Sequence, residues 1–238
     1  MRTHTQLHGI FLIALLIGLA GCSWRREDVG PYQSAQQTYS FTNFDRLDMG
    51  SAFTISVQQG NTFSITVEGD RRNLDDLDVY TRNGTLIAQY RNARNRKYST
   101  TFVITMPTLR GVNFSGASKS TISDFTNLNG LDIELSGASE AQVSVKAART
   151  NVELSGASRL QLTGSGTSLV ADLSGASQLQ GYSYPVNDAN LGASGASKAN
   201  VSVANSLDVD ASGASSVRYR GNPSVRQRVS GASSVQQE

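Results

Sequence analysis

Leu131-Asp132-Ile133-Glu134-Leu135-Ser136-Gly137-Ala138-Ser139-Glu140-Ala141-Gln142-Val143-Ser144-Val145 is the stretch that decides the fold. Apolar residues alternate with polar ones on both sides of a Ser-Gly-Ala-Ser tetrapeptide. Period-two alternation marks a strand with one buried face. The parity carries across the motif, which predicts an inward set of Leu131, Ile133, Leu135, Gly137, Ser139, Ala141, Val143 and Val145.

The tetrapeptide recurs seven times, starting at Ser115, Ser136, Ser155, Ser174, Ser194, Ser212 and Ser230, at intervals of 18 to 21 residues. The same parity predicts Val152, Leu154, Gly156, Ser158, Leu160 and Leu162 inward in the third copy, and Val229, Gly231, Ser233 and Val235 in the last. Each unit reads as strand, small-residue corner, strand, turn. One unit cannot bury its apolar face alone, whereas stacked units can. The expected fold is all-β, a single-stranded parallel β-helix with coils of about 18–21 residues rising by about 4.8 Å each. Glycine at the corner suits a tight bend or a positive φ. Ser118, Ser139, Ser158, Ser177, Ser197, Ser215 and Ser233 should form an inward structural ladder. Each hydroxyl there needs a partner, because a buried orphan costs about 1–3 kcal/mol.

Residues 41–110 lack the tetrapeptide but stay β-rich. Phe53–Val57 and Phe63–Val67 alternate around a Gln59-Gly60-Asn61 turn, and Asn83-Gly84 is a hairpin signal. Phe102–Met106 adds a strand closed by Pro107. This part is expected to open and cap the β-helix formed by residues 111–238.

The first 22 residues resemble a bacterial lipoprotein signal. The apolar run Ile10–Ile17 is too short for a stable bilayer span, which takes about 20 residues. Leu19-Ala20-Gly21-Cys22 then resembles a lipobox, which implies cleavage and acylation at Cys22. Ser23 after the cysteine implies outer-membrane sorting, and acyl chains contribute about 0.8 kcal/mol per buried methylene. Residues 23–40 are polar and read as a flexible tether.

Cys22 is the sole cysteine, and the two histidines, His4 and His8, lie in the expected signal. That removes Ser-His-Asp and Cys-His catalysis and the usual zinc and haem ligand sets. No catalytic residue, metal or cofactor is expected. A net charge of +2 gives no basic field of the kind nucleic acid calls for.

Among outward positions, Glu134, Glu153 and Asp172 fall on consecutive coils. Stacked carboxylates repel, so this column is the candidate for cation or carbohydrate contact. The plainer account is solvated charge, partly offset by Arg159. A carboxylate pair could also serve a carbohydrate-active enzyme of lyase or glycosidase type, which is the alternative function. Arg91, Arg94, Arg96 and Lys97 make a basic loop that could meet lipid phosphates or acidic polysaccharide, or simply be a solvated turn.

The alternating opening, the Pro107-Thr108-Leu109 step and the run of Ser-Gly-Ala-Ser coils resemble the bacterial auto-transporter adhesin family with a head GIN domain. The resemblance covers residues 41–238. It implies a right-handed β-helix exported to the envelope, with function essentially unassigned and no catalytic residues to carry over. The expected role is a non-catalytic, lipid-anchored adhesion or scaffolding module. Its partners would be the membrane through the anchor, an envelope polysaccharide or surface protein, and a second copy through the edge of the C-terminal coil near Val235.

Overall fold

The computed structural model describes residues 30–238. They form a parallel β-solenoid of about seven turns. The N-terminal part contains β1 (Ser34–Tyr39), β2 (Arg46–Met49), β3 (Thr54–Gln59), β4 (Ser64–Asp70), the one-turn helix α1 (Arg71–Leu74), β5 (Leu77–Arg82), β6 (Thr85–Tyr90), β7 (Thr100–Met106) and β8 (Gly111–Phe114). The repeat contains β9 (Lys119–Leu135), β10 (Glu140–Leu154), β11 (Arg159–Leu173), β12 (Gln178–Ala193), β13 (Lys198–Ala211), β14 (Ser216–Arg220), β15 (Ser224–Val229) and β16 (Ser234–Gln237).

Consecutive long strands stack in parallel, with Glu140 opposite Arg159 and Leu154 opposite Leu173. The side chains that the alternation sends inward, from Leu135 and Leu154 to Leu173, Leu191 and Val209, are all essentially buried. They join one core that runs from Phe44 to Val217, so residues 41–110 share the core of the repeat. β2 lies parallel to β8, and β3 lies parallel to β9. Together they build a coil without a tetrapeptide: Gly50-Ser51-Ala52-Phe53 lies opposite Ser115-Gly116-Ala117-Ser118. Ser51 and Ala52 take positive φ there, at 61° and 58°. β4 runs antiparallel to β1 and β7, and β5 and β6 form the expected hairpin over Asn83-Gly84.

Three expectations change. First, the segment read as a tether contains β1, which pairs with β4 from Ser34↔Asp70 to Tyr39↔Ile65. Its weak alternation of Ala35, Gln37 and Tyr39 suffices because the edge of β4 supplies the ladder. Second, the corner glycines do not point inward. Gly137 and Gly156 are exposed, while Ser139 and Ser158 on the far side of each corner are buried. The corner therefore bulges outward and parity resumes after it. Third, the second bend of the coils in β9 to β13 is no separate turn. It is a set of register shifts within a continuous strand, as between Val143 and Ala147 of β10, whereas residues 221–223 break the coil between β14 and β15. In the last coil Val229 is 44% exposed and Ser233 and Val235 only half-buried, because β15 pairs with β13 alone and β16 with β14 alone.

Candidate functional site

The ladder serines from Ser118 to Ser215 are buried, one per coil. Ser118 and Ser139 hydroxyls donate to the Ser115 and Ser136 carbonyls at 2.9 and 2.8 Å. Ser158 and Ser177 reach back one coil to the Leu135 and Leu154 carbonyls. Ser215 donates to the Ala193 carbonyl, and its hydroxyl lies 3.2 Å from that of Ser233. Ser197 departs from the expectation: its buried hydroxyl has no hydrogen-bond partner among the described residues. On the outside of the corners from Ala157 onward, the Ala N–H donates to the Gly carbonyl of the previous coil, as from Ala157 to Gly137 and from Ala176 to Gly156, each at 2.7 Å.

Glu134, Glu153 and Asp172 do stack in register. The column continues through Gly192 and Asp210 and ends at Arg228, which pairs with Asp210 at 3.3 Å. Among the described residues, however, no three His, Cys, Asp or Glu side chains gather in a way that could hold a metal ion. Side chains that project in parallel from a flat sheet do not converge on one point. Arg159 is no counter-ion for this column, because it pairs with Glu140 at 3.4 Å.

The basic loop is partly neutralised from within, while Arg91 and Lys97 stay exposed. The Arg96 side chain is 10% exposed and pairs with Asp76, and Arg94 approaches the same carboxylate at 3.4 Å. The Asn92 amide also donates to Asp76, and the Arg96 guanidinium carbon lies 3.4 Å from the Tyr90 ring centroid. Burial alone would raise the Asp76 carboxyl, but the Asn92 amide and Arg96 more than offset this and hold it at about 2. Two of the four expected basic residues are thus tied to one buried aspartate.

Another concavity lies on the side of the solenoid where the coils make their second bend. It is a groove of about 750 Å³ lined by Arg46, Arg110, Asn127, Asp132, Arg149 and Asn151, among others. Its floor is an ordered polar network. The Arg46 guanidinium donates to one Asp132 oxygen and the Asn151 amide to the other, both at 2.8 Å. Burial raises the Asp132 carboxyl, but the Asn151 amide and Arg46 outweigh it, so it stays below the usual carboxylate range. Arg46 and Asp132 are not on adjacent strands. Gly111 lies between them in register, and a Cβ there would come within 2.5 Å of the Arg46 Nη1. The missing side chain opens the passage for the guanidinium. One wall of the groove is the β9 bend, where Asp124 and Asn127 adopt φ of 69° and 61°. Arg110 is tied loosely to Asp45 at 3.6 Å, and Arg149 has no ion-pair partner among the described residues. None of these groove residues stands out in the sequence as a site. The column Arg46–Asp132–Asn151 emerges only once the bends are placed.

Residues 43–223 match the family described as "Putative auto-transporter adhesin, head GIN domain". The chain belongs to this family. The groove and the carboxylates Glu134, Glu153, Asp172 and Asp210 of the acidic column lie inside the matched span. No curated protein matches the chain in sequence. Among solved structures, a "putative adhesin" from Bacteroides fragilis NCTC 9343 is similar, with 21% identity and a TM-score of 0.78 over 87% of this chain and 97% of that one. A second "putative adhesin", from Parabacteroides merdae ATCC 43184, has 15% identity and a TM-score of 0.72 over 87% and 96% of the two chains. A protein from Parabacteroides distasonis ATCC 8503, called a "putative lipid binding protein", has 14% identity and a TM-score of 0.71 over 86% and 96%. At these identities the likeness establishes the head GIN fold.

Proposed function

We propose that this head GIN protein is a non-catalytic module of the cell envelope that adheres to, or scaffolds, a repetitive polymer or surface protein. The observation that carries the reading is an outward column of amides in strict register, Gln142, Gln161, Gln180 and Asn200, one per coil. They recur at the inter-strand spacing of about 4.8 Å and form no hydrogen bonds with one another among the described residues. Each amide offers both donors and an acceptor to a partner that repeats along the same axis. Shallow hollows of about 280 and 210 Å³ flank Gln180 and Asn200.

The expected lipid anchor belongs to the same proposal. Cys22 lies outside the described residues, and among those described no helix is long and apolar enough to cross a membrane. Acylation of Cys22 would tether the module to the outer membrane, and Cys22→Ala would move the protein from the membrane fraction to the soluble one. Self-association through β15 and β16 is part of it too, since Val225 and Val229 are exposed on an open ladder. Placing proline at Val235 and finding an unchanged oligomeric state would count against that contact.

The test is a glycan and envelope-polymer array probed with the full chain in detergent, with product release followed in parallel. Saturable binding that weakens in Gln161→Ala/Gln180→Ala supports the module. Cleaved product would replace it with the carbohydrate-active enzyme built on the Glu134, Glu153 and Asp172 column.

A further inference from the structure

We propose that the groove at the second bend is a binding site for a saccharide carrying an anionic group, a carboxylate or a sulfate. The inference rests on the adhesion reading and adds a second site, away from the amide column, with a defined chemistry. Three arginines line the groove against one aspartate. That aspartate is already spent: Arg46 occupies one oxygen of Asp132 and Asn151 the other. The floor therefore neither repels an anion nor offers a carboxylate to a cation.

The positive charge that is left belongs to Arg110 and Arg149. The Arg110 contact to Asp45 is long, at 3.6 Å, with the arginine 67% exposed, so it is easily exchanged for a better acceptor. Arg149 has no competing carboxylate at all among the described residues. A guanidinium presents a planar fork that matches a carboxylate or sulfate edge through two parallel hydrogen bonds.

The neutral lining fits the rest of a sugar. Asn127, Asn129, Thr108 and Ser168 surround the same space with amides and hydroxyls. The Asn151 side chain gives its N–H to Asp132 and keeps its carbonyl oxygen as an acceptor for a hydroxyl. Fixed hydrogen bonds at the floor keep the arrangement assembled before a ligand arrives, which lowers the cost of ordering it. A volume of about 750 Å³ accommodates a short oligosaccharide and not merely an ion.

The experiment is calorimetry on the full chain in detergent with three tetrasaccharides: a tetragalacturonate, a sulfated glycosaminoglycan fragment and neutral cellotetraose. Binding of either acidic probe at least tenfold tighter than cellotetraose, weakening as salt rises, is expected. Arg149→Gln should lose at least tenfold, and Arg149→Lys should retain part of the affinity. Because Arg149 has no structural partner, circular dichroism of its variants should match wild type. No acidic preference in the wild type, or undiminished affinity in Arg149→Gln/Arg110→Gln, overturns the groove assignment. Polymer binding on the array that survives those substitutions would leave the adhesion reading standing while this one falls. Binding on neither test removes both.

Discussion

The Tyr184 hydroxyl hydrogen-bonds to Thr150 at 2.8 Å although a whole coil lies between them. Tyr184 belongs to β12 and Thr150 to β10, and β11 separates the two strands. The ring passes beside Gly166 of β11, where a Cβ would approach the Tyr184 oxygen to 2.7 Å. Arg46 reaches Asp132 past Gly111 by the same device. In both places a glycine is required for its absent side chain rather than for its backbone.

Filling that passage and removing the hydroxyl that uses it should both destabilise. Gly166→Val is expected to destabilise by about 1–3 kcal/mol through overpacking. Tyr184→Phe strands the Thr150 hydroxyl and should cost about 1–3 kcal/mol. Adding Thr150→Val to Tyr184→Phe should recover part of that loss, because both polar groups are then gone. Urea denaturation of wild type, Tyr184→Phe, Thr150→Val and the double variant measures the coupling.

Removing a ladder serine should depend on which coil it occupies. Ser177→Ala gives up the bond to the Leu154 carbonyl and should cost about 1 kcal/mol. Ser197→Ala removes a buried hydroxyl without a partner, so its denaturation midpoint should equal or exceed that of wild type. Equal losses at the two positions would show that the Ser197 hydroxyl is bonded in solution.

The corner glycine is a different case. Gly156 has φ of +70°, and a Cβ there would lie 2.4 Å from the Gly137 carbonyl oxygen. Gly156→Ala meets both the left-handed penalty of about 1–2 kcal/mol and a clash with the coil above. Thermal denaturation should show a larger loss than at Gly130, where an added Cβ meets nothing closer than 4.0 Å.

Acid should loosen the N-terminal part before the repeat. Asp76 is held at about 2 and Asp70, which the Arg72 side chain hydrogen-bonds, lower still. Both are depressed relative to an unfolded aspartate near 3.9. Their stabilisation is therefore complete above about pH 4 and drains away as pH falls toward the folded values. Hydrogen exchange at pH 7 and pH 3, corrected for the intrinsic amide rate at each pH, should show lower protection over residues 70–98 at the lower pH while β10–β12 stay protected. In Asp76→Asn that difference should shrink.

The solenoid was legible because its period is carried by a corner whose chemistry hardly varies. The coil through Gly50-Ser51-Ala52 was not, because Phe53 fills the place of the inward serine and no tetrapeptide remains. β1 was illegible for another reason: its alternation is Gln-rich and gains its meaning from β4, which follows it by thirty-odd residues. The acidic column could be stacked correctly from the repeat alone. The groove could not, since Arg46, Asp132 and Asn151 meet only across bends whose register shifts leave no mark in composition. The basic loop misled because Asp76, the buried partner that absorbs Arg94 and Arg96, precedes it in an unremarkable stretch.

A stack of nearly interchangeable coils has a counting problem. The corners from Gly137 to Gly213 each offer a glycine carbonyl to the alanine N–H of the next coil, so a nascent chain threaded one coil out of step there would satisfy its corners almost as well as the native one. Tyr184 with Thr150, and Arg46 with Asp132, cannot be satisfied out of step, because each needs a glycine in the coil between. These two contacts number the coils, one across β2, β8 and β9 and the other across β10, β11 and β12.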